Sequence, residues 1–131
     1  MKKLTIILLA VFALGLTGCN KDAEIDAFLT EFESTTAEMT KKINENPTSA
    51  GVDEAQKTFT AKKPVLLEKF DVIKNARGFQ VSEGKQKEMM ERIVKSATSL
   101  SEASRKLMTD REALTKFQSL MKEYGETFKM Q

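Results

Sequence analysis

Apolar residues recur three and four positions apart over most of the chain after residue 21, and this spacing restricts its fold more than any other feature. The spacing places apolar side chains along one face of an α-helix. Composition favours the same structure, because helix-forming residues are abundant while the 131 residues include only six glycines and two prolines. No alternating pattern typical of a strand extends beyond residues 79–81. The sequence therefore predicts an all-α protein.

The first predicted helix covers about residues 22–44. Asp22 is the expected N-cap, since its carboxylate can accept hydrogen bonds from the free amides of the first turn. A cluster of turn-forming residues at 44–49 ends the helix. Thr36 fills a gap in an otherwise apolar face, which consists of Ile25, Phe28, Leu29, Phe32, Met39 and Ile43.

A second apolar face begins at about residues 49–52 and ends near Arg77. It keeps its phase across Pro64, although an interior proline removes one backbone hydrogen bond. Two interpretations stay open. The segment is either one helix kinked at Pro64, or two helices with Pro64 in the first turn of the second, where proline is tolerated.

A third helix is predicted from Ser82, its N-cap, to about Met108. Thr109 and Glu112 have the spacing of a capping box, which predicts a fourth helix that starts at Asp110. Four amphipathic helices with short connections predict an antiparallel up-and-down bundle, because no helix could bury its apolar face alone.

The N-terminal end has a different character. After Met1-Lys2-Lys3, a 13-residue apolar run extends from Leu4 to Leu16. A short positive segment followed by such a run is typical of a secretory signal peptide. The run is too short for a membrane-spanning helix, which needs about 20 apolar residues.

The run ends in Leu16-Thr17-Gly18-Cys19, which resembles the lipobox of bacterial lipoproteins. The resemblance covers residues 1–19. It implies that Leu16 is the recognition leucine, that cleavage follows Gly18, and that Cys19 carries a diacylglyceryl group on its sulfur and an acyl chain on its new amine. More than one acyl chain gives stable membrane anchoring, whereas a single chain binds only marginally.

The chain is thereby divided into a cleaved signal peptide (1–18), a lipidated tether (19–21) and a helical bundle domain (22–131). Localisation in the bacterial cell envelope follows from the resemblance. In a Gram-negative host we expect the outer membrane, with the domain facing the periplasm, because Asn20 replaces the aspartate that retains well-known enteric lipoproteins in the inner membrane.

The residue inventory argues against several classes of function. Without Lys2 and Lys3 the mature chain has 19 basic and 19 acidic residues, and this balance argues against nucleic-acid binding. The chain has no histidine and no cysteine besides Cys19, which excludes imidazole and thiolate metal sites and histidine-dependent catalysis. We therefore expect no enzyme activity, no metal and no cofactor other than the covalent lipid.

Charge is distributed unevenly along the chain. Residues 20–46 carry three basic and seven acidic side chains, while residues 47–107 carry twelve and eight. Either the two regions pack together and their fields cancel, or the basic segment faces an anionic partner, such as an envelope protein or an anionic surface. For the second case the candidate binding surface, here called the lysine ridge, is Lys57, Lys62, Lys63, Lys69 and Lys74.

Methionine offers another candidate surface. Met90 and Met108 are the methionines that we expect to be exposed, and flexible methionines suit adaptable binding faces. The sequence as a whole predicts a lipid-anchored interaction module of the cell envelope. A structural envelope lipoprotein without a specific ligand is the alternative, and a small hydrolase is the least favoured.

Overall fold

The computed structural model describes residues 21–76 and 81–129, which form four α-helices. Helix directions alternate along the chain: α3 begins beside the start of α1, and α4 runs alongside α2. The predicted all-α, up-and-down bundle is confirmed. The helices are α1 (Asp22–Glu45), α2 (Ser49–Ile73), α3 (Glu83–Arg105) and α4 (Arg111–Thr127).

The helices are not packed equally closely. The backbone of α1 packs along both α2 and α3, and α2 packs along α4. Within the described residues, α3 therefore has one closely packed neighbour, α1, although α2 and α4 adjoin it in sequence. The side of the bundle between α3 and α4 is consequently the least tightly closed.

The core follows the apolar stripes that the sequence predicts. The side chains of Leu29, Met39 and Ile43 on α1 are fully buried, as are Phe59 and Leu66 on α2. At one end of the bundle an aromatic cluster continues the core, with ring centroids 5.2–5.8 Å apart, which is favourable for tilted and edge-to-face pairs. Its members are Phe28, Phe32, Phe59, Phe70, Tyr124 and Phe128.

Helix α2 is continuous from Ser49 to Ile73 and contains Pro64, so the interpretation of two separate helices is wrong. The helix ends four residues before the expected Arg77, which lies outside the described residues. Similarly, α3 ends at Arg105 and not near Met108.

Two predicted helix caps are wrong by one residue. Lys21 precedes α1, and Asp22 is already helical; its carboxylate accepts hydrogen bonds from the Ser82 amide (3.1 Å) and hydroxyl (2.6 Å). Asp110, not Thr109, caps α4 by accepting a hydrogen bond from the Ala113 amide at 3.0 Å. The reason is that hydrogen-bonded turns continue to Asp110, so the first extended residue before α4 is the aspartate.

The cap of α3 is confirmed. The Ser82 hydroxyl oxygen accepts a hydrogen bond from the Lys85 amide at 3.2 Å. Because the same hydroxyl also donates to Asp22, one serine both starts α3 and fixes that start beside the start of α1.

Candidate functional site

An apolar groove lies between α3 and α4. It consists of two adjoining cavities, of about 370 and 390 Å³, which share Phe32, Ile93 and Tyr124 as lining residues. The first cavity lies at the end of the bundle where α1 starts, and the second extends towards the α3–α4 turn. Volumes of this size are at the lower end of those found for small-molecule sites. The remaining lining residues are Ile25, Phe28, Phe70, Ile73, Ala76, Val81, Met89, Gly125 and Phe128 in the first cavity, and Ala97, Leu100, Ser101, Ser104, Phe117 and Met121 in the second.

Beside the groove, ion pairs attach α3 to α1. The Lys85 ammonium lies 2.7 Å from a carboxylate oxygen of Asp26 and 2.7 Å from one of Glu88. Two turns further along, the Arg92 guanidinium lies 2.6 Å from Glu33. With the polar side of α3 against α1, the apolar side of α3 faces the groove.

These ion pairs shift the pKa values of Glu33, Arg92 and Lys85. The hydrogen bond from Arg92 is the main cause of a lowered pKa for Glu33, although partial burial opposes it. Reciprocally, hydrogen bonding to Glu33 raises the pKa of Arg92, and hydrogen bonds to Asp26 and Glu88 raise the pKa of Lys85. Glu33, Lys85 and Arg92 therefore favour their charged forms, and the ion pairs that they make hold α3 in place at neutral pH.

Large apolar side chains are exposed on α3, and one of them, Ile93, lines the groove. Met90 is 61% exposed, Val94 is 54% exposed and Ile93 is 36% exposed. Met108, just beyond α3, is 71% exposed, so the expectation that Met90 and Met108 are exposed is confirmed. Contiguous exposed apolar residues commonly mark interaction surfaces.

The floor of the groove is fixed by a buried hydrogen bond. The hydroxyl oxygens of Tyr124 and Thr36 are 2.6 Å apart, and both residues are buried. Burial raises the pKa of Tyr124 far above its usual value, while the hydrogen bond to Thr36 partly opposes the shift. The phenol therefore stays neutral, and no described residue that lines either cavity carries a charge. The groove can hold apolar groups, but its walls offer no acid or base.

The lysine ridge does not form a continuous surface. Lys62 reaches towards α1 and pairs with Glu31 at 3.5 Å, whereas the adjacent Lys63 reaches towards α4 and pairs with Glu123 at 3.2 Å. Successive helix positions differ by about 100°, so Lys69 shares the flank of Lys62. Whether any of these lysines binds an anionic partner stays a prediction.

The two remaining members lie elsewhere on α2. Lys57 is paired with Glu54 at 2.8 Å and Lys74 with Asp71 at 2.9 Å, both within the helix. Local carboxylates thus already neutralise much of the charge that was expected to attract an anionic partner.

The groove was missed in the sequence analysis because Met89, Ile93 and Ala97 look like ordinary core positions of α3. The available signal was the width of the apolar face: Met90 and Val94 extend it beyond what one neighbouring helix can cover. When a helix has an apolar face this wide but few buried aliphatic side chains, the uncovered part of that face indicates an additional contact surface.

Several predicted features cannot be located in the structure. Leu16, Gly18 and Cys19 lie outside the described residues, so the lipid attachment stays a prediction. Across residues 21–76 and 81–129, no helix is long and apolar enough to span a membrane. The same residues contain no cluster of three or more acidic, cysteine or histidine side chains suited to a metal ion.

Comparison with known proteins gives no relative for this fold. No protein-family model matches the chain, and neither the curated proteins nor the solved structures contain a significant match.

Proposed function

We propose that this chain is a lipid-anchored interaction module of the bacterial cell envelope, which carries lipid on Cys19 and works by binding. The apolar groove between α3 and α4 is the observation that carries the binding role, because its walls are apolar and uncharged and its edge is open to solvent. The anchoring role is supported by the lipobox-like segment that ends at Cys19.

Lys21, two residues after the proposed anchor, lies at the end of the bundle where the groove begins. The amide of Ile25 donates to the Lys21 carbonyl at 2.9 Å, so helical hydrogen bonding starts two residues after Cys19. Ile25 also lines the first cavity. A domain anchored through Cys19 would therefore sit close to the bilayer, with this end of the groove nearest to the anchor.

Fractionation tests the anchoring role. The full chain and its Cys19→Ser variant are expressed in a Gram-negative host, and the membrane and soluble fractions are separated before and after a high-salt wash. We expect the unaltered protein to stay in the membrane fraction with an added acyl mass, and the variant to lack that mass. An unaltered protein without an acyl mass, in the soluble fraction, would overturn the proposal.

Density-gradient fractionation of membranes from the same host tests which membrane holds the protein. Co-sedimentation with outer-membrane markers is the expected result, following Asn20 at the position after the lipidated cysteine. Recovery with inner-membrane markers alone would contradict the outer-membrane assignment while leaving the lipid anchor intact.

A further inference from the structure

We infer that the apolar groove holds one acyl chain of the lipid that Cys19 carries, folded back from the anchor onto the protein. This inference rests on the proposed lipidation of Cys19. It assigns the groove an occupant that is covalently part of the same molecule, and it leaves the other acyl chains of that lipid for the bilayer.

The distance from Cys19 to the groove is short enough for an attached acyl chain to reach it. Consecutive Cα atoms are about 3.8 Å apart, so Cys19 lies within ~8 Å of Lys21, where the hydrogen bonding of α1 begins. The first cavity is lined by Ile25 and Phe28, in the first two turns of the same helix. An acyl chain on Cys19 would therefore begin within reach of the groove and could enter it without rearrangement of the described bundle.

The length of the groove can be compared with that of an acyl chain. Along α3 the groove extends from Met89 to Ser104, and the helical rise of 1.5 Å per residue makes this about 22 Å. An acyl chain spans one leaflet, or about half of the ~30 Å hydrocarbon core of a bilayer. The groove is thus long enough for one chain.

Chemistry identifies which kind of acyl chain fits. The ester- and amide-linked chains of a lipidated cysteine have no free carboxylate, and none of the described residues that line the groove is a cation that could hold one. Lys85, one turn before Met89, is already shared between Asp26 and Glu88. Inside the groove a free fatty acid would find no cation among the described lining residues for its carboxylate, whereas a chain linked to Cys19 brings no carboxylate to bury.

The energetic balance permits the transfer. Hydrocarbon is removed from water in the bilayer and in the groove alike, so moving one chain between them changes little. Occupation of the groove also removes from water the exposed side chain of Ile93 and the remaining exposed part of the half-buried Met89. Because the remaining acyl chains still supply more than one membrane anchor, attachment is retained.

Photo-crosslinking in the full, lipidated chain tests the inference. The photoreactive p-benzoylphenylalanine is placed at position 93, which both cavities share, and in a separate protein at position 65, an exposed site on α2 outside the groove. Membranes are irradiated and the digested peptides are analysed by mass spectrometry. We expect a crosslink between position 93 and the acyl chain on the Cys19 peptide, and none from position 65.

Other outcomes overturn the inference. A crosslink from position 93 to a separate phospholipid, a crosslink to another protein, or no crosslink would each exclude the lipid on Cys19 as the occupant. The same spectra show whether the Cys19 peptide is acylated. An acylated peptide without the crosslink contradicts the groove inference alone, whereas a peptide without acyl chains contradicts the proposed anchoring as well.

A pair of glycine variants tests whether a side chain that fills the groove displaces the acyl chain. A Cβ atom at either Gly125 or Gly84 would meet no atom within 4 Å, but of the two only Gly125 lines the groove. Both variants carry the photoreactive residue at position 93. We expect Gly125→Phe to lower the crosslink yield about tenfold, which corresponds to a loss of ~1.4 kcal/mol of binding free energy. Gly84→Phe should leave the yield unchanged. Circular dichroism confirms folding, and an unchanged yield in folded Gly125→Phe contradicts the inference. If Gly125→Phe does not fold, the smaller Gly125→Leu takes its place.

Discussion

The hydroxyl oxygens of Thr36 on α1 and Tyr124 on α4 lie 2.6 Å apart inside the bundle. These two helices have little close backbone packing, so this contact and the ring of Tyr124 against Phe32, with centroids 5.4 Å apart, position α4 over α1. The hydrogen bond thereby sets the floor of the groove. It also explains why a threonine interrupts the apolar face of α1.

Removal of the tyrosine hydroxyl should destabilise the fold. Tyr124→Phe leaves the buried Thr36 hydroxyl without this partner, and an unsatisfied buried group costs about 1–3 kcal/mol. Chemical denaturation measures the loss in free energy of unfolding. The double variant Thr36→Val, Tyr124→Phe is the control, since it removes both polar groups and should recover part of the loss. Strictly additive losses would show that the two hydroxyls are not coupled.

Titration to alkaline pH should show that the Tyr124 hydroxyl is buried. Tyr124 is the only tyrosine in the chain, so tyrosinate absorbance reports it alone. Its pKa is raised in the folded state, so the stability that its neutral form contributes is complete below the unfolded pKa of about 10 and is lost as pH rises above it. We expect tyrosinate to appear well above pH 10, together with unfolding. Ionisation near pH 10 in the folded protein would contradict the buried position.

Arg92 should hold α3 against α1. Replacement by Met removes the pairs with Glu33 and Asp26, which are worth about 1 kcal/mol as partly exposed groups. Hydrogen exchange should accelerate in α3 more than in α1. Lys57→Met, which removes a pair within α2, is the control and should leave α3 unchanged. Equal exchange in both variants would contradict the role of Arg92.

This role has a predictable pH dependence. Because the pKa of Glu33 is lowered in the folded state, its contribution to stability is present above its unfolded pKa and is lost as pH falls through the folded value. The difference in unfolding free energy between the unaltered protein and Arg92→Met should therefore shrink below pH ~4. A difference that stays constant into acid would show that the ion pair is not its origin.

Much of this fold could be predicted from the sequence, because helix formation is local. The apolar spacing from Ile25 to Ile43 and the serine at position 82 correctly gave α1 and the start of α3. Where two capping residues stood side by side, as at Thr109 and Asp110, the sequence could not decide. The choice depended on the hydrogen-bonded turn that precedes α4.

The site was much harder to predict, because it depends on which faces of different helices meet. The apolar spacing of Met89 and Ile93 identifies a face but not its neighbour. The lysine ridge failed as one surface for the same reason: Lys62 and Lys63 are adjacent in sequence but pair with different helices on opposite flanks of α2. Charge counted along a segment does not reveal the partners already present within the fold.

Gly51 should be essential for the α1–α2 turn. A Cβ atom at this position would overlap the carbonyl oxygen of Asn46, so Gly51→Ala must displace backbone and should lower the melting temperature. Gly84→Ala is the matched control, since its Cβ meets nothing, and the higher helix propensity of alanine should stabilise it by up to ~1 kcal/mol. Equal stability of the two variants would contradict the tight contact at Gly51.

The central claim is that Cys19 is the lipidated first residue of a membrane-anchored domain. Its most direct test is the mass of the N-terminal peptide of the protein isolated from its host membrane. If the protein is lipidated as proposed, the peptide begins at Cys19 and carries a diacylglyceryl group on sulfur and an acyl chain on the amine. A peptide that begins at another residue, or one with an unmodified Cys19 thiol, would contradict it.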